Sequence, residues 1–125
     1  MKLMIMLGSI NMALAIALGA FGAHGLEGKV SEKMMQIWNT GAHYHIIHGL
    51  ALIAVGLMLA KTNGNATLLT VAGWLLFAGI VFFSGSLYAL VLSNVKILGA
   101  ITPIGGVSFI AGWVLVAVSA AKYLG

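Results

Sequence analysis

Four histidines are the residues of this chain best suited to chemistry: His24, His43, His45 and His48. An imidazole can bind a metal, relay a proton or hydrogen-bond across a helix interface. Spacing separates these roles. At 100° per residue, Gln36, Asn39, Thr40 and His43 fall within ~100° of arc and form one polar stripe. His45 and His48 lie within ~60° of each other but well over 100° from His43. His43 and His45 therefore cannot serve one site from a single helix. His45 and His48 form an i, i+3 pair that can touch one metal ion. The chain has no cysteine, and its two acids are Glu27 and Glu32. Both are expected as solvated loop charges, so no carboxylate completes a metal sphere or orients an imidazole. A four-coordinate site needs groups from a second subunit or a partner. Thiolate sites, iron–sulfur clusters and disulfides are excluded. The plainer reading is neutral histidines hydrogen-bonded to hydroxyls or backbone carbonyls, because burial disfavours the charged form. No cofactor is expected, with His45 and His48 as the only metal candidates. No nucleophile–base–acid set is visible, so no catalytic residue and no enzyme is expected.

Such residues need elements to hold them. The 125 residues are 62% hydrophobic and 6% charged, and the mean hydropathy is +1.12. A soluble domain carries about 25% charged residues. The composition excludes an ordinary soluble globular protein and a disordered chain alike. Residues 3–26, 34–60, 62–95 and 97–121 carry no charge. Each stretch reaches the ~20 residues that cross ~30 Å of hydrocarbon. The expected fold is all-α: an integral-membrane antiparallel four-helix bundle with helices about 3–23, 34–60, 66–92 and 102–122, in a single domain spanning 1–125. The net charge of +4 comes from lysines alone, with no arginine. They sit singly at helix ends, which suits lipid headgroups and not nucleic acid. Lys2, Lys61 and Lys122 fall on one side, Lys29, Lys33 and Lys96 on the other, so lysine bias gives no orientation.

Local signals set the boundaries. Gly22, Gly25 and Gly28 are expected to break helix 1. Its apolar run is longer than a usual signal-peptide core, so it is expected to be retained. Ser31 caps helix 2, with Glu32 in the first turn. Lys61–Asn65 reads as a tight polar turn. Thr102-Pro103 opens helix 4, after an apolar half-turn at Ile97–Ile101. Small residues recur at helical spacing: Gly8, Ala15, Gly19 and Gly22; Ala72, Gly79, Ser86 and Ser93; Gly105, Gly112 and Ser119. Rows of this kind let helices approach closely in lipid. Gly19, Gly22, Gly79, Gly85, Gly105 and Gly112 are the packing candidates. Trp38 and Tyr123 suit interfacial anchoring, Trp74 similarly, and Trp113 packs near the middle of helix 4.

Depth gathers the polar residues. His24, Asn39, Thr40, His43, His48, Ser84, Ser86, Tyr88 and Thr102 fall towards the half of the bilayer where helices 1 and 3 end. Asn11 sits between the halves. Polar side chains in lipid normally face the bundle interior or a wet cavity. The expectation is a one-sided polar pocket open towards loops 1 and 3.

Several fragments together are similar to a known family: Gly19-Ala20-Phe21-Gly22-Ala23-His24-Gly25-Leu26, Trp38-Asn39-Thr40-Gly41-Ala42-His43-Tyr44-His45 with His48, Phe83-Ser84-Gly85-Ser86-Leu87-Tyr88, and Ile101-Thr102-Pro103-Ile104-Gly105-Gly106 with Gly112-Trp113. In order and spacing they resemble the small bacterial membrane proteins of domain-of-unknown-function family 423, and eukaryotic transmembrane protein 256 looks related. The resemblance implies a four-helix protein of the bacterial inner (plasma) membrane and implies no activity. The residues themselves leave three roles open. The pocket binds or passes a small solute, ion or lipid group; the protein is a structural or accessory subunit; or His45 and His48 hold a metal or haem. The expected partners are the lipid bilayer, further copies of the chain and a possible membrane-protein partner. Four short helices bury little alone, so a homo-oligomer is expected.

Overall fold

The computed structural model describes residues 2–62 and 66–123. Four helices are long and apolar enough to cross a membrane. They are α1 (Lys2–Leu26), α2 (Glu32–Lys61), α3 (Thr67–Ser93) and α4 (Thr102–Tyr123). In hydrocarbon a backbone must satisfy its own N–H and C=O groups, and a helix does so within one segment. A 3₁₀ turn at Lys96–Ala100 leads into α4, matching the apolar half-turn before Pro103. Residues 63–65 of the expected polar turn lie outside the described residues.

Helix 1 runs further than its glycines suggest. Gly22 and Gly25 do not end it; the chain continues through a widened π-helical turn, Gly22–Leu26. The stop comes at Gly28, whose φ of +78° needs a residue without a Cβ. Ser31 caps α2, its Oγ accepting the Met34 N–H at 3.2 Å. A second π-helical stretch, Ile80–Ser84, interrupts α3. Asn94 closes α3 in the left-handed region, its N–H donating to the Leu90 carbonyl at 2.8 Å.

The four helices form two tight antiparallel hairpins. In the first, Gly8 lies against the Gly49 carbonyl and Ile53, and Gly22 seats the Trp38 indole. In the second, Gly79 seats Phe109, Gly105 presses on the backbone of Phe82 and Phe83, and Gly112 meets Leu76. These glycines are points of close approach between helices. Two others are not. A Cβ on Gly19 would meet nothing within 4 Å, and Gly85 faces only its own helix at the Ile80 carbonyl. Gly19 is turned ~40–60° off the buried row Gly8–Ala15–Gly22, so it misses the seam with α2. Gly85 lines a groove instead.

The hairpins join where α2 packs on α3. One apolar cluster holds Met4, Leu52, Val55, Leu69, Leu76 and Phe109; the other centres on Trp38 with Leu26, Ala42, Tyr88 and Val91. Trp38 is thus no interfacial anchor. It is fully buried, donates Nε1–H to the Leu18 carbonyl at 2.9 Å, and stacks obliquely on Tyr88.

Candidate functional site

The nine polar residues expected to share one pocket do not share it. His24, Asn39, Thr40 and His43 are exposed on the outside of the bundle. His48, Ser84, Ser86 and Tyr88 are buried. The polar stripe Gln36–Asn39–Thr40–His43 points away from the core because α2's glycines and alanines (Gly41, Ala42, Gly49, Gly56) lie on the opposite face, where the other helices press. Ser86 and Thr102 pair with each other at 2.6 Å, tying α3 to the start of α4. The Thr102 hydroxyl therefore bonds across helices. Ser84 Oγ is buried without a hydrogen-bond partner among the described residues. Depressions at the loop end are lined by residues such as Glu27, Glu32, Lys29 and Lys96, and by none of the nine.

Two buried histidines organise what remains. His45 is 2% exposed and His48 is 3% exposed. They diverge into separate networks. His45 Nε2 meets Asn11 Oδ1 at 2.8 Å and its Nδ1 meets the Tyr88 hydroxyl at 2.9 Å. His48 Nδ1 meets the Tyr44 carbonyl at 2.7 Å and its Nε2 receives the Trp113 Nε1–H at 3.0 Å.

The partners assign the protons. Asn11 gives its amide N–H to the Leu7 carbonyl at 2.8 Å, so its oxygen must face His45. An oxygen only accepts, hence His45 carries its proton on Nε2. In the neutral ring that an apolar surround favours, Nδ1 then keeps its lone pair and Tyr88 donates to it. For His48 the order reverses. The Tyr44 carbonyl requires a proton on Nδ1, and the Trp113 indole, a donor only, requires a lone pair on Nε2. Both rings are neutral, in opposite tautomers. Each lone pair that could bind a metal is already engaged, so His45 and His48 do not form a chelate. His45 serves Asn11 of α1 and Tyr88 of α3, whereas His48 serves α2's own Tyr44 carbonyl and Trp113 of α4. Among the described residues, no three metal-ligating side chains come together.

Each histidine sits at the floor of a groove open to lipid. The first groove, about 440 Å³, runs between α1 and α3. Its walls are apolar, including Leu14, Leu18, Phe77 and Val81, and its floor is Asn11, His45 and Tyr88. It forms because α1 and α3 both pack on α2 but meet each other little, as where Met4 fills the space over Gly73. The π-helical stretch of α3 contributes Ile80 and Val81 to its wall. The second groove lies between α2 and α4 and is aromatic. His48 stacks face to face on Phe109 there, with centroids 3.6 Å apart, beside Tyr44, Phe83 and Trp113.

Comparison with known proteins fits this frame. The family model described as "Protein of unknown function (DUF423)" matches residues 18–106. The chain belongs to this family. A UPF0382 membrane protein of Bacillus subtilis, YwdK, is 56% identical over 99% of this chain and 100% of its own length. The Staphylococcus epidermidis UPF0382 membrane protein SERP0230 is 54% identical over the full length of both chains. The Staphylococcus aureus relative SAB0533 is 50% identical, again over both full lengths. No solved structure matches. Family membership and the four helices make this a membrane protein, and the matched residues 18–106 contain His45, His48 and Tyr88 but not Asn11.

Asn11 and Trp113, read from the sequence only as lying between the halves and as packing in helix 4, are hydrogen-bond partners of the buried histidines. The signal was present: the row Gly8–Ala15–Gly22 marks α1's buried face, and Asn11 falls on that face.

Proposed function

We propose that this protein binds a neutral, membrane-dissolved molecule in the α1/α3 groove, with a hydrogen-bonding oxygen of the ligand seated on Asn11 and Tyr88, which His45 holds in place. The observation that carries this reading is a polar triad with spare capacity at the floor of an apolar groove open to lipid. Asn11 keeps a second amide proton, and the Tyr88 oxygen keeps lone pairs, after their mutual bonds are counted. One site can therefore both donate and accept. A volume of about 440 Å³ suits a small-molecule ligand.

Depth selects the ligand class. Asn11 lies roughly 14 Å along α1 from Lys2, in a helix roughly 37 Å long. Asn11 thus sits near the bilayer midplane, far from phosphate headgroups. A charged headgroup would not be drawn there. A carbonyl or hydroxyl on a lipid-soluble skeleton fits.

The reading is of a binding protein and not an enzyme, placed in the bacterial cell membrane and working as a homo-oligomer. An accessory-subunit role, in which polar groups only satisfy each other, describes His48, whose two nitrogens are both engaged. It does not account for the spare hydrogen-bonding capacity of Asn11 and Tyr88. The test is native mass spectrometry of protein released from its own membrane in mild detergent, with organic extraction of what it carries. A neutral lipid-soluble molecule held by the wild type and lost from Asn11→Leu is expected. Equal retention by both proteins would overturn the assignment.

A further inference from the structure

The outer face of α2 is chemically unlike the other lipid-facing surfaces of this protein. Gln36, His43, Leu50 and Leu57 recur every seven residues along its centre. All four are exposed. Asn39 with Ile46 flanks the row on one side, and Thr40 with Ile47 on the other; these too are exposed. A seven-residue recurrence is the signature of a left-handed helix–helix seam. By contrast, the exposed face of α4 is apolar at Ile104, Val107 and Ile110.

Lipid cannot satisfy the polar half of this row. α2 has 30 residues and is roughly 45 Å long against ~30 Å of hydrocarbon. Centred in the membrane, it places His43 roughly 9 Å inside the hydrocarbon edge, with Asn39 at its margin. Thr40 turns its hydroxyl back to the Gln36 carbonyl at 2.9 Å. His43 and Asn39 have their side chains on the outside of the chain.

We infer that this face is the seam between copies of the chain, with α2 packed parallel against α2 of a second copy. Copies inserted in the same direction are related by rotation about the membrane normal, which sets each residue opposite itself at the same depth. Asn39 then meets Asn39 and His43 meets His43. An amide and a neutral imidazole each carry a donor and an acceptor, so each is complementary to its own copy. A foreign partner would need matching polar groups at the same two depths, whereas a second copy supplies them by symmetry. Leu50 and Leu57 continue the contact as an apolar zipper. The polar pairs set register, as a lone asparagine does in a coiled coil. The inference does not rest on the ligand reading, since the α1/α3 groove opens on another side of the bundle.

The chain has no cysteine, which makes the test direct. Single variants His43→Cys, Leu50→Cys, Leu57→Cys and, on α4, Ile110→Cys are oxidised in native membranes. The first three are expected to give a product of twice the chain mass, at least about fivefold more than Ile110→Cys. Equal yields at all four positions, no product, or a product of another mass would overturn the inference. Substituting exposed positions leaves the core intact, and dimer association measured by energy transfer in liposomes reads the polar contribution. Asn39→Leu is expected to weaken association about threefold for each interhelical hydrogen bond lost. Unchanged or tighter association would also overturn it.

Discussion

His45 and His48 stand one helical turn apart on α2 and hold opposite tautomers. His45 is protonated on Nε2 and faces Asn11 and Tyr88; His48 is protonated on Nδ1 and faces the Tyr44 carbonyl and Trp113. Partners on different helices impose this, since three of the four groups have no choice of donor or acceptor role. Nitrogen-15 solid-state NMR of labelled histidine in lipid should resolve two neutral rings of opposite protonation. Two rings of the same tautomer would contradict the network.

The His48–Trp113 bond links the two hairpins and should appear as a coupling energy. A double-mutant cycle with His48→Phe and Trp113→Phe, read by unfolding in mixed micelles, should give about 0.6 kcal/mol and at most about 1.7 kcal/mol. Simple additivity would place the two side chains out of contact.

Asn11→Leu removes the acceptor from a buried ring N–H at nearly constant volume. Destabilisation of about 1 kcal/mol is expected, because the donor is left unpaired in an apolar surround. Unfolding midpoints in the same micelles check it. Tyr88→Phe tests the other end of the triad, where an unpaired lone pair is left on Nδ1, and a smaller loss is expected.

Glycine substitutions should separate the seams from the open surface. Gly105→Ala drives a methyl into the Phe83 backbone, which cannot swing aside, and should cost about 1–3 kcal/mol. Gly19→Ala meets open space and gains up to about 1 kcal/mol of helix propensity. Thermal stability of the purified variants should therefore move in opposite directions.

Divalent metal should not stabilise the fold through α2. Both buried imidazole lone pairs are engaged, so zinc added to the purified protein should leave the unfolding temperature of wild type and of His45→Ala shifted equally. A zinc-dependent rise in the wild type alone would restore the chelate reading.

The architecture was legible in the sequence because hydrocarbon permits few alternatives. Charge-free runs of the right length and rows of small residues suffice for four helices and their close seams. The row Gly105–Gly112–Ser119 predicted contacts that are present at two of its positions as glycine clefts. The site was less legible. Depth grouped the polar residues, but depth carries no information on which way a side chain points. His43 and His45 are two residues apart and face opposite sides of α2. Only the glycine and alanine row of α2, read as its buried face, distinguishes them. The π-helical turn Gly22–Leu26 had no sequence signal beyond its glycines and Ile80–Ser84 contains none, yet both shift the register of every residue that follows.

The central claim is that the α1/α3 groove takes a neutral, oxygen-bearing lipophile. Benzophenone, a neutral aromatic ketone that attaches to nearby C–H bonds on illumination, probes it directly in liposomes. Mapped by peptide mass spectrometry, its adducts should concentrate on residues 7–18 and 77–88, and Asn11→Leu with Tyr88→Phe should disperse them. Adducts spread evenly over the exposed faces of α1 and α4 in the wild type would contradict the account.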